Sequence, residues 1–122
     1  MIGEAQSVVA DFKALTSQAW HLFPQKRTKL DATTKRGVYI IASPAGKIVH
    51  VGSTPRAKLG IEQRLKNHLA GQSSFAKKSL NGKGSKLRGG YRYCFLKIGK
   101  KRQRALVEAY AIGRLCPKHL GA

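Results

Sequence analysis

The stretch RGVYIIASPAGKIVHVGST, residues 36–54, contains two short apolar runs, GVYII and KIVHV, separated by Pro-Ala-Gly. Proline fixes the φ angle that the first central position of a tight turn needs, and glycine suits the exit from such a turn. The stretch therefore predicts a β-hairpin. Each run also carries one polar ring, Tyr39 in the first strand and His50 in the second.

The register of this hairpin decides whether the two rings meet. With a two-residue turn centred between Pro44 and Ala45, Tyr39 faces His50 directly, and both rings stand on one face of the hairpin. A β-bulge would change that pairing. A single strand tyrosine or histidine is more often a packing residue than a functional one, so the pair gains meaning only from further residues.

The flanking sequence supplies helices and one more strand. Apolar spacing predicts a helix over residues 4–20, and the segment 21–36 lacks periodicity and is expected to be a loop or basic linker. Ile61, Leu65 and Leu69 form the stripe of a second helix. Residues 71–90 are rich in Gly, Ser and Lys and predict a mobile cationic loop, followed by a strand at 91–98 and a helix at 100–116. These elements predict an α+β fold: a small, mainly antiparallel three-stranded sheet flanked by helices, with an extra N-terminal helix.

Charge is the unusual feature of the composition. The chain has 122 residues, enough for one domain, and its 24 Lys+Arg against 5 Asp+Glu give a net charge of +19. Such an excess opposes compaction and is typical of proteins with a polyanionic partner, of which nucleic acid is the leading candidate. No run is long enough to span a membrane, so we expect no membrane partner and a cytoplasmic location. Two cysteines form neither a disulfide framework nor a zinc motif.

Glu108 stands out against this basic background. It is the only acidic residue from Gln63 to the C-terminus, where fifteen Lys+Arg occur, and it lies in a helical apolar stripe with Ala105 and Ile112. A carboxylate there should be shielded from water, and next to a polyanion it is costly unless a divalent cation stands between them. The simpler alternative is an ion pair with Arg104, one turn earlier.

These residues together resemble a known family. The tripeptides GVY (37–39) and HVG (50–52), the helix sequence RLKNH (64–68) and the helix sequence ALVEAYAIGRLCP (105–117) resemble the GIY-YIG nuclease family in order and in element type. The resemblance spans about residues 36–120. It implies a nuclease domain at 36–122, with residues 1–35 as an N-terminal helix and basic linker packed on that domain.

The resemblance implies a metal-dependent endonuclease that hydrolyses phosphodiester bonds in DNA. It assigns Tyr39 as general base, directly or through a relay, Arg64 to the scissile phosphate and Glu108 to one Mg²⁺ or Mn²⁺ ion. His68 falls where some members carry a histidine that orients water or phosphate. His50 is a further catalytic candidate that departs from the pattern, because the second motif usually has tyrosine there. Its imidazole can accept or donate a proton near neutral pH and could replace the hydrogen bond of the phenol. The family's asparagine near the C-terminal proline is also missing, since the chain reads KHLGA after Pro117.

Basic residues outside these motifs are expected to contact nucleic-acid phosphates, which gives affinity but no sequence readout. They are Lys58, Lys77, Lys78, Lys83, Lys86 and Arg88. Duplex DNA, branched DNA and RNA all remain open as substrates, and sequence specificity would need a homo-oligomer or a partner protein. The alternative function is a non-catalytic nucleic-acid-binding protein on the same scaffold, which the charge and the missing tyrosine favour.

Overall fold

A four-stranded antiparallel sheet forms the middle layer of the protein. The computed structural model describes residues 3–26, 28–54 and 58–120. Its elements in chain order are α1 (Glu4–Thr16), β1 (His21–Leu22), β2 (Gly37–Ala42), β3 (Ile48–Ser53), α2 (Gly60–Leu69), α3 (Ser74–Ser79), a 3₁₀ helix (Gly84–Arg88), β4 (Arg92–Lys97) and α4 (Lys101–Leu115). The strand order in the sheet is β1-β4-β2-β3. The predicted α+β class with an added N-terminal helix is confirmed.

Strand β2 lies at the centre of both hydrophobic cores. Val38 and Ile40 pack on one side of the sheet, with residues of α1 and α4. Tyr39 and Ile41 pack on the other side, with residues of α2 and α3. Every residue of β2 is buried, because a strand covered on both faces has no solvent side. This explains why the first apolar run is continuous rather than alternating.

Helices α1 and α4 cover one face of the sheet. Val8 and Leu15 of α1 meet Val107 and Ala111 of α4 in the same buried cluster. Helix α1 ends at Thr16, four residues before the predicted end. At this end the hydroxyl groups of Thr16 and Ser17 donate to the carbonyl oxygen of Lys13, a side-chain bond to the backbone that competes with helical hydrogen bonds.

The opposite face is covered by α2 and by the segment 71–90, which was expected to be a mobile loop. That expectation is wrong: the segment folds into α3 and the 3₁₀ helix. Phe75, Leu80 and Leu87 are at most 3% exposed and join the core under α2. The buried apolar side chains hold the segment in place while its lysines point outward.

The segment 21–36 is also more ordered than predicted. His21 and Leu22 pair with Tyr93 and Arg92 of β4, which adds a fourth strand to the expected three. Phe23 and Leu30 are buried in the core on the α2 side. Isolated apolar residues without periodicity gave no sequence signal for this packing.

The hairpin register differs from the prediction. Tyr39 faces Gly52, and His50 faces Ile41. Two one-residue shifts cause the difference. Gly46 adds one residue to the turn, with φ of 88° and its N–H donating to the carbonyl of Ser43 at 2.8 Å. Val49 adds the second as a bulge in β3, because Ala42 pairs with Ile48 while Ile41 pairs with His50. Since two single shifts preserve the alternation of faces, both rings remain on one side of the sheet.

Candidate active site

A cleft of about 970 Å³ opens between β3, α2, the start of α3, and α4. It gathers side chains that are far apart in sequence. Those that carry chemistry are His50, Lys58, Arg64, His68, Ser73, Glu108 and His119. The cleft therefore brings together most of the residues that the sequence analysis selected, with Tyr39 directly behind its wall.

A chain of hydrogen bonds runs along the wall of the cleft. The hydroxyl of Tyr39 lies 2.7 Å from Nε2 of His68. Nδ1 of His68 lies 2.6 Å from the hydroxyl of Ser73, which accepts the backbone N–H of Ala76 and so caps α3. Tyr39 of β2 is therefore connected by a single short hydrogen bond to His68, which lines the cleft.

Gly52 separates the Tyr39 hydroxyl from the cleft. A Cβ atom added at Gly52 would overlap the hydroxyl, and would lie 2.5 Å from Cζ of Tyr39 and 3.0 Å from Nε2 of His50. Gly52 itself lines the cleft. Only a residue without a side chain leaves the phenol this close to the cleft surface.

Burial sets the protonation states of Tyr39, His50 and His68. It raises the pKa of Tyr39 to about 12, against the opposing effect of the Arg64 guanidinium. Burial, with help from neighbouring positive charge, lowers the pKa of His50 to about 3 and of His68 to about 2. At neutral pH the phenol is protonated and both imidazoles are neutral.

Arg64 of α2 is the cation at the centre of the site. Its side chain is half-buried and lines the cleft. Its charge acts on Tyr39, His50 and His68 alike. Among the residues that the structure describes, its buried Nε atom has no hydrogen-bond partner, which leaves one donor of the guanidinium unsatisfied.

Glu108 enters the cleft from α4. Its carboxylate is half-buried, and Oε1 accepts the hydroxyl of Ser53 at 2.8 Å. The alternative ion pair with Arg104 does not form: Nη1 of Arg104 instead donates to the carbonyls of Ile98 and Gly99, at 3.1 and 2.7 Å. Glu108 is thus held in position by a neutral group and keeps its charge available.

Glu108 is the carboxylate of the cleft that could hold a metal ion. No cluster of three or more His, Cys, Asp or Glu suited to a metal occurs in the described residues. Mg²⁺ keeps most of its water and is commonly held by one or two carboxylates together with substrate phosphates. A single anchored carboxylate in an open cleft fits that requirement.

His119 is a site residue that the sequence analysis missed. The C-terminal segment runs beside β3, where the N–H groups of Lys118 and His119 donate to the carbonyls of Ile48 and Val49. The His119 ring is 7% exposed, and its centroid is 5.4 Å from that of His50 and 5.6 Å from that of Phe75. The only sequence signal was its place two residues after Pro117, near where the family pattern has asparagine.

The basic residues predicted to bind nucleic acid separate into three groups. Lys58 lines the cleft. Four lysines of the segment 71–90 are exposed: Lys77, Lys78, Lys83 and Lys86. Arg88 has a structural use, because its guanidinium donates to the carbonyl of Pro24 at 2.6 Å. These lysines remain predicted phosphate contacts, whereas Arg88 is held against the segment preceding β2.

Comparison with known proteins places this site in a family. The catalytic-domain profile of the GIY-YIG family matches residues 35–119, well over half of the chain. The chain belongs to the GIY-YIG family, a family of endonucleases. Neither a comparison with curated proteins nor one with solved structures gives a match. In the described part of the chain, no helix has the length and apolar character that crossing a membrane requires.

Proposed function

We propose that this protein is a metal-dependent endonuclease that hydrolyses phosphodiester bonds in DNA. The observation that carries the proposal is the convergence of Arg64, Glu108 and the hydrogen-bonded pair Tyr39–His68 on one cleft. A cation for the phosphate, a carboxylate for a metal and a proton-accepting pair are the parts that hydrolysis of a phosphodiester needs. The net charge of +19 supplies attraction for DNA.

Tyr39 and His68 act as the proton acceptor. The attacking water gives its proton to the phenol oxygen while the phenol proton passes to Nε2 of His68, across their 2.7 Å hydrogen bond. A tyrosine with a pKa raised to about 12 is a poor base alone. The low pKa of His68 opposes an imidazolium in the free cleft. Burial is the main cause of this low pKa, and the charge of Arg64 adds to it. A bound phosphate reduces the part of the cost that comes from Arg64, because its negative charge offsets the guanidinium.

Arg64 binds the scissile phosphate. Its planar guanidinium can donate two parallel hydrogen bonds to phosphate oxygens, and its charge stabilises the extra negative charge that develops at phosphorus. The unpartnered buried Nε supports this role, because a donor without a partner is costly until a ligand supplies one.

Glu108 is the residue that would hold the metal. Oε1 accepts the Ser53 hydroxyl, so the carboxylate presents its remaining lone pairs to the cleft. When bound there, Mg²⁺ or Mn²⁺ would neutralise charge on the phosphate and on the leaving oxygen. Without a cation, Glu108 would repel the DNA backbone, which supports a metal ion at this carboxylate.

One observation favours the second candidate function, non-catalytic binding of nucleic acid on the same scaffold. Tyr39 is fully buried and its pKa is raised, which works against a base. A protein that kept the scaffold for binding alone would still need its positive charge and would have no need of Glu108.

The substitution Glu108→Gln distinguishes the two candidate functions, and Glu4→Gln is its matched control. Glu4 lies on α1 and pairs with Arg102, so its substitution makes the same chemical change outside the cleft. We expect Glu108→Gln to reduce Mg²⁺-dependent nicking of supercoiled DNA by about 100-fold or more, and to bind DNA in EDTA at least as tightly as wild type. Wild-type-rate cutting by Glu108→Gln would refute the metal assignment. Tight binding by wild type with no cutting in Mg²⁺ or Mn²⁺ would establish the binding function instead.

A further inference from the structure

A second concavity of about 520 Å³ lies beside the active-site cleft. It lies at the N-terminal end of β2 and the C-terminal end of β4, where Gly37 pairs with Lys97. Its lining is Thr34, Lys35, Arg36, Lys58, Lys97 and Gly99. Four of these six residues are cationic and none is acidic, so we call it the cationic groove.

In the described part of the chain, no carboxylate lines this groove or forms an ion pair with its cations. The chain has five acidic residues, and each has a partner elsewhere. Glu4 pairs with Arg102, Asp11 accepts from Gln103, Asp31 lies near His21, Glu62 pairs with Lys66 and Glu108 accepts from Ser53. Like charges that converge without a counter-charge repel each other, and an anionic ligand would relieve that repulsion.

Arg104 adds a further positive charge next to the groove. Its side chain is 3% exposed, and in the described residues its Nε atom has no hydrogen-bond partner. Burial and the nearby charge of Arg36 lower its pKa. Nη1 holds the carbonyls of Ile98 and Gly99, and this contact fixes the turn between β4 and α4 that forms one side of the groove.

The cationic groove lies next to the active-site cleft, and one residue lines both. Lys58 lines both concavities. Arg36 directly precedes β2, and Lys97 ends β4, so their backbones are held by the two central strands. The exposed lysines of the segment 71–90 line neither concavity. A polyanion that leaves the cleft past Lys58 therefore meets the groove next.

We propose that the cationic groove binds the phosphodiester backbone of the DNA whose scissile bond occupies the cleft, at phosphates beyond the scissile one. The proposal rests on the proposed function for the occupant of the cleft, but the charge and shape of the groove are independent of it. Phosphate contacts of this kind fix the register of the DNA without reading its sequence.

The test compares two triple variants with the wild type. The groove variant carries Lys35→Gln, Arg36→Gln and Lys97→Gln. The control variant carries Lys13→Gln, Lys29→Gln and Lys47→Gln, which remove the same charge from exposed positions outside both concavities. Binding of a short labelled duplex is measured in EDTA over a range of salt concentrations, so that no cutting occurs.

We expect the groove variant to lose affinity by at least tenfold more than the control. The slope of log K against log salt should fall by about 0.9 for each phosphate that the protein no longer neutralises, so by close to 3 for the groove variant and by less than 1 for the control. Equal losses of affinity in the two variants would overturn the proposal, because the groove would then contribute only general charge. Binding in EDTA does not depend on cutting. A wild type that binds through the groove but never cuts refutes the nuclease, whereas a wild type that cuts without a groove effect refutes this inference alone.

Discussion

Replacement of Gly52 by alanine tests the placement of Tyr39. The new Cβ would lie 2.5 Å from Cζ of Tyr39, with the hydroxyl closer still. Tyr39 is fully buried and cannot swing away, so the ring must shift by about 1 Å to reach an ordinary van der Waals distance. Overpacking of this kind costs about 1–3 kcal/mol of unfolding free energy. The same shift would disturb the 2.7 Å hydrogen bond to His68, and a misplacement of about 1 Å can reduce a rate by about 100-fold.

The assay is Mg²⁺-dependent nicking of supercoiled DNA, with urea unfolding to confirm that the variant is folded at the assay temperature. Gly113→Ala is the control, because a Cβ at Gly113 meets nothing within 4 Å. It lies inside α4, where alanine should stabilise the protein by about 0.5–1 kcal/mol and leave cutting unchanged. If folded Gly52→Ala cuts DNA as fast as wild type, then the position of the Tyr39 hydroxyl is not part of the reaction.

The buried histidines, the phosphate-binding arginine and the core each give one more prediction. Because the folded-state pKa values of His50 and His68, about 3 and about 2, lie below the usual 6.5, the stability that they provide is complete above pH 6.5 and is lost as the pH falls. Each contributes a slope of up to about 1.4 kcal/mol per pH unit, which urea titrations at several pH values measure, and His68→Gln should flatten the slope. Arg64→Lys should reduce the cutting rate by about 100-fold with little loss of DNA affinity, because lysine keeps the charge but loses the paired donors; an equal loss in both would contradict that role. Leu87→Ala should cost about 2–5 kcal/mol of unfolding free energy, since the side chain is fully buried, whereas a mobile segment 71–90 would show no cost.

Local patterns predicted most of the elements, whereas the grouping of the candidate site residues came from the family resemblance. The hairpin and the helices carrying Arg64 and Glu108 follow from turn chemistry and from apolar periodicity, which depend on neighbouring residues only. The register was not predictable in this way, because the Gly46 turn residue and the Val49 bulge each shift the pairing by one. Two one-residue shifts together restore the alternation of side chains between the two faces of the sheet. Tyr39 and His50 therefore share a face although they are not opposite each other.

The packing of the segment 71–90 and the position of His119 depend on tertiary contacts, which local sequence patterns do not show. Phe75, Leu80 and Leu87 are separated by glycines and lysines at irregular spacing, and nothing local shows that one core receives all three. His119 has no pattern around it at all. It reaches the site because backbone hydrogen bonds bind the C-terminal segment to β3, a contact between residues about 70 positions apart that single-sequence reasoning does not reveal.

The two departures from the family pattern meet in space. His50 stands where tyrosine is usual, and its ring stacks on Phe75 with centroids 4.9 Å apart and an interplanar angle of 15°. His119, near the usual asparagine, contacts both rings. His50, Phe75 and His119 thus form an aromatic cluster, and burial in it lowers the pKa of His50 to about 3 and keeps the imidazole neutral at pH 7. A neutral His50 adds no positive charge that would compete with Arg64 for a bound phosphate, and its position beside His68 opposes protonation of that ring. The two departures from the family pattern thus alter the wall of the cleft, while Arg64 and Glu108 still line it.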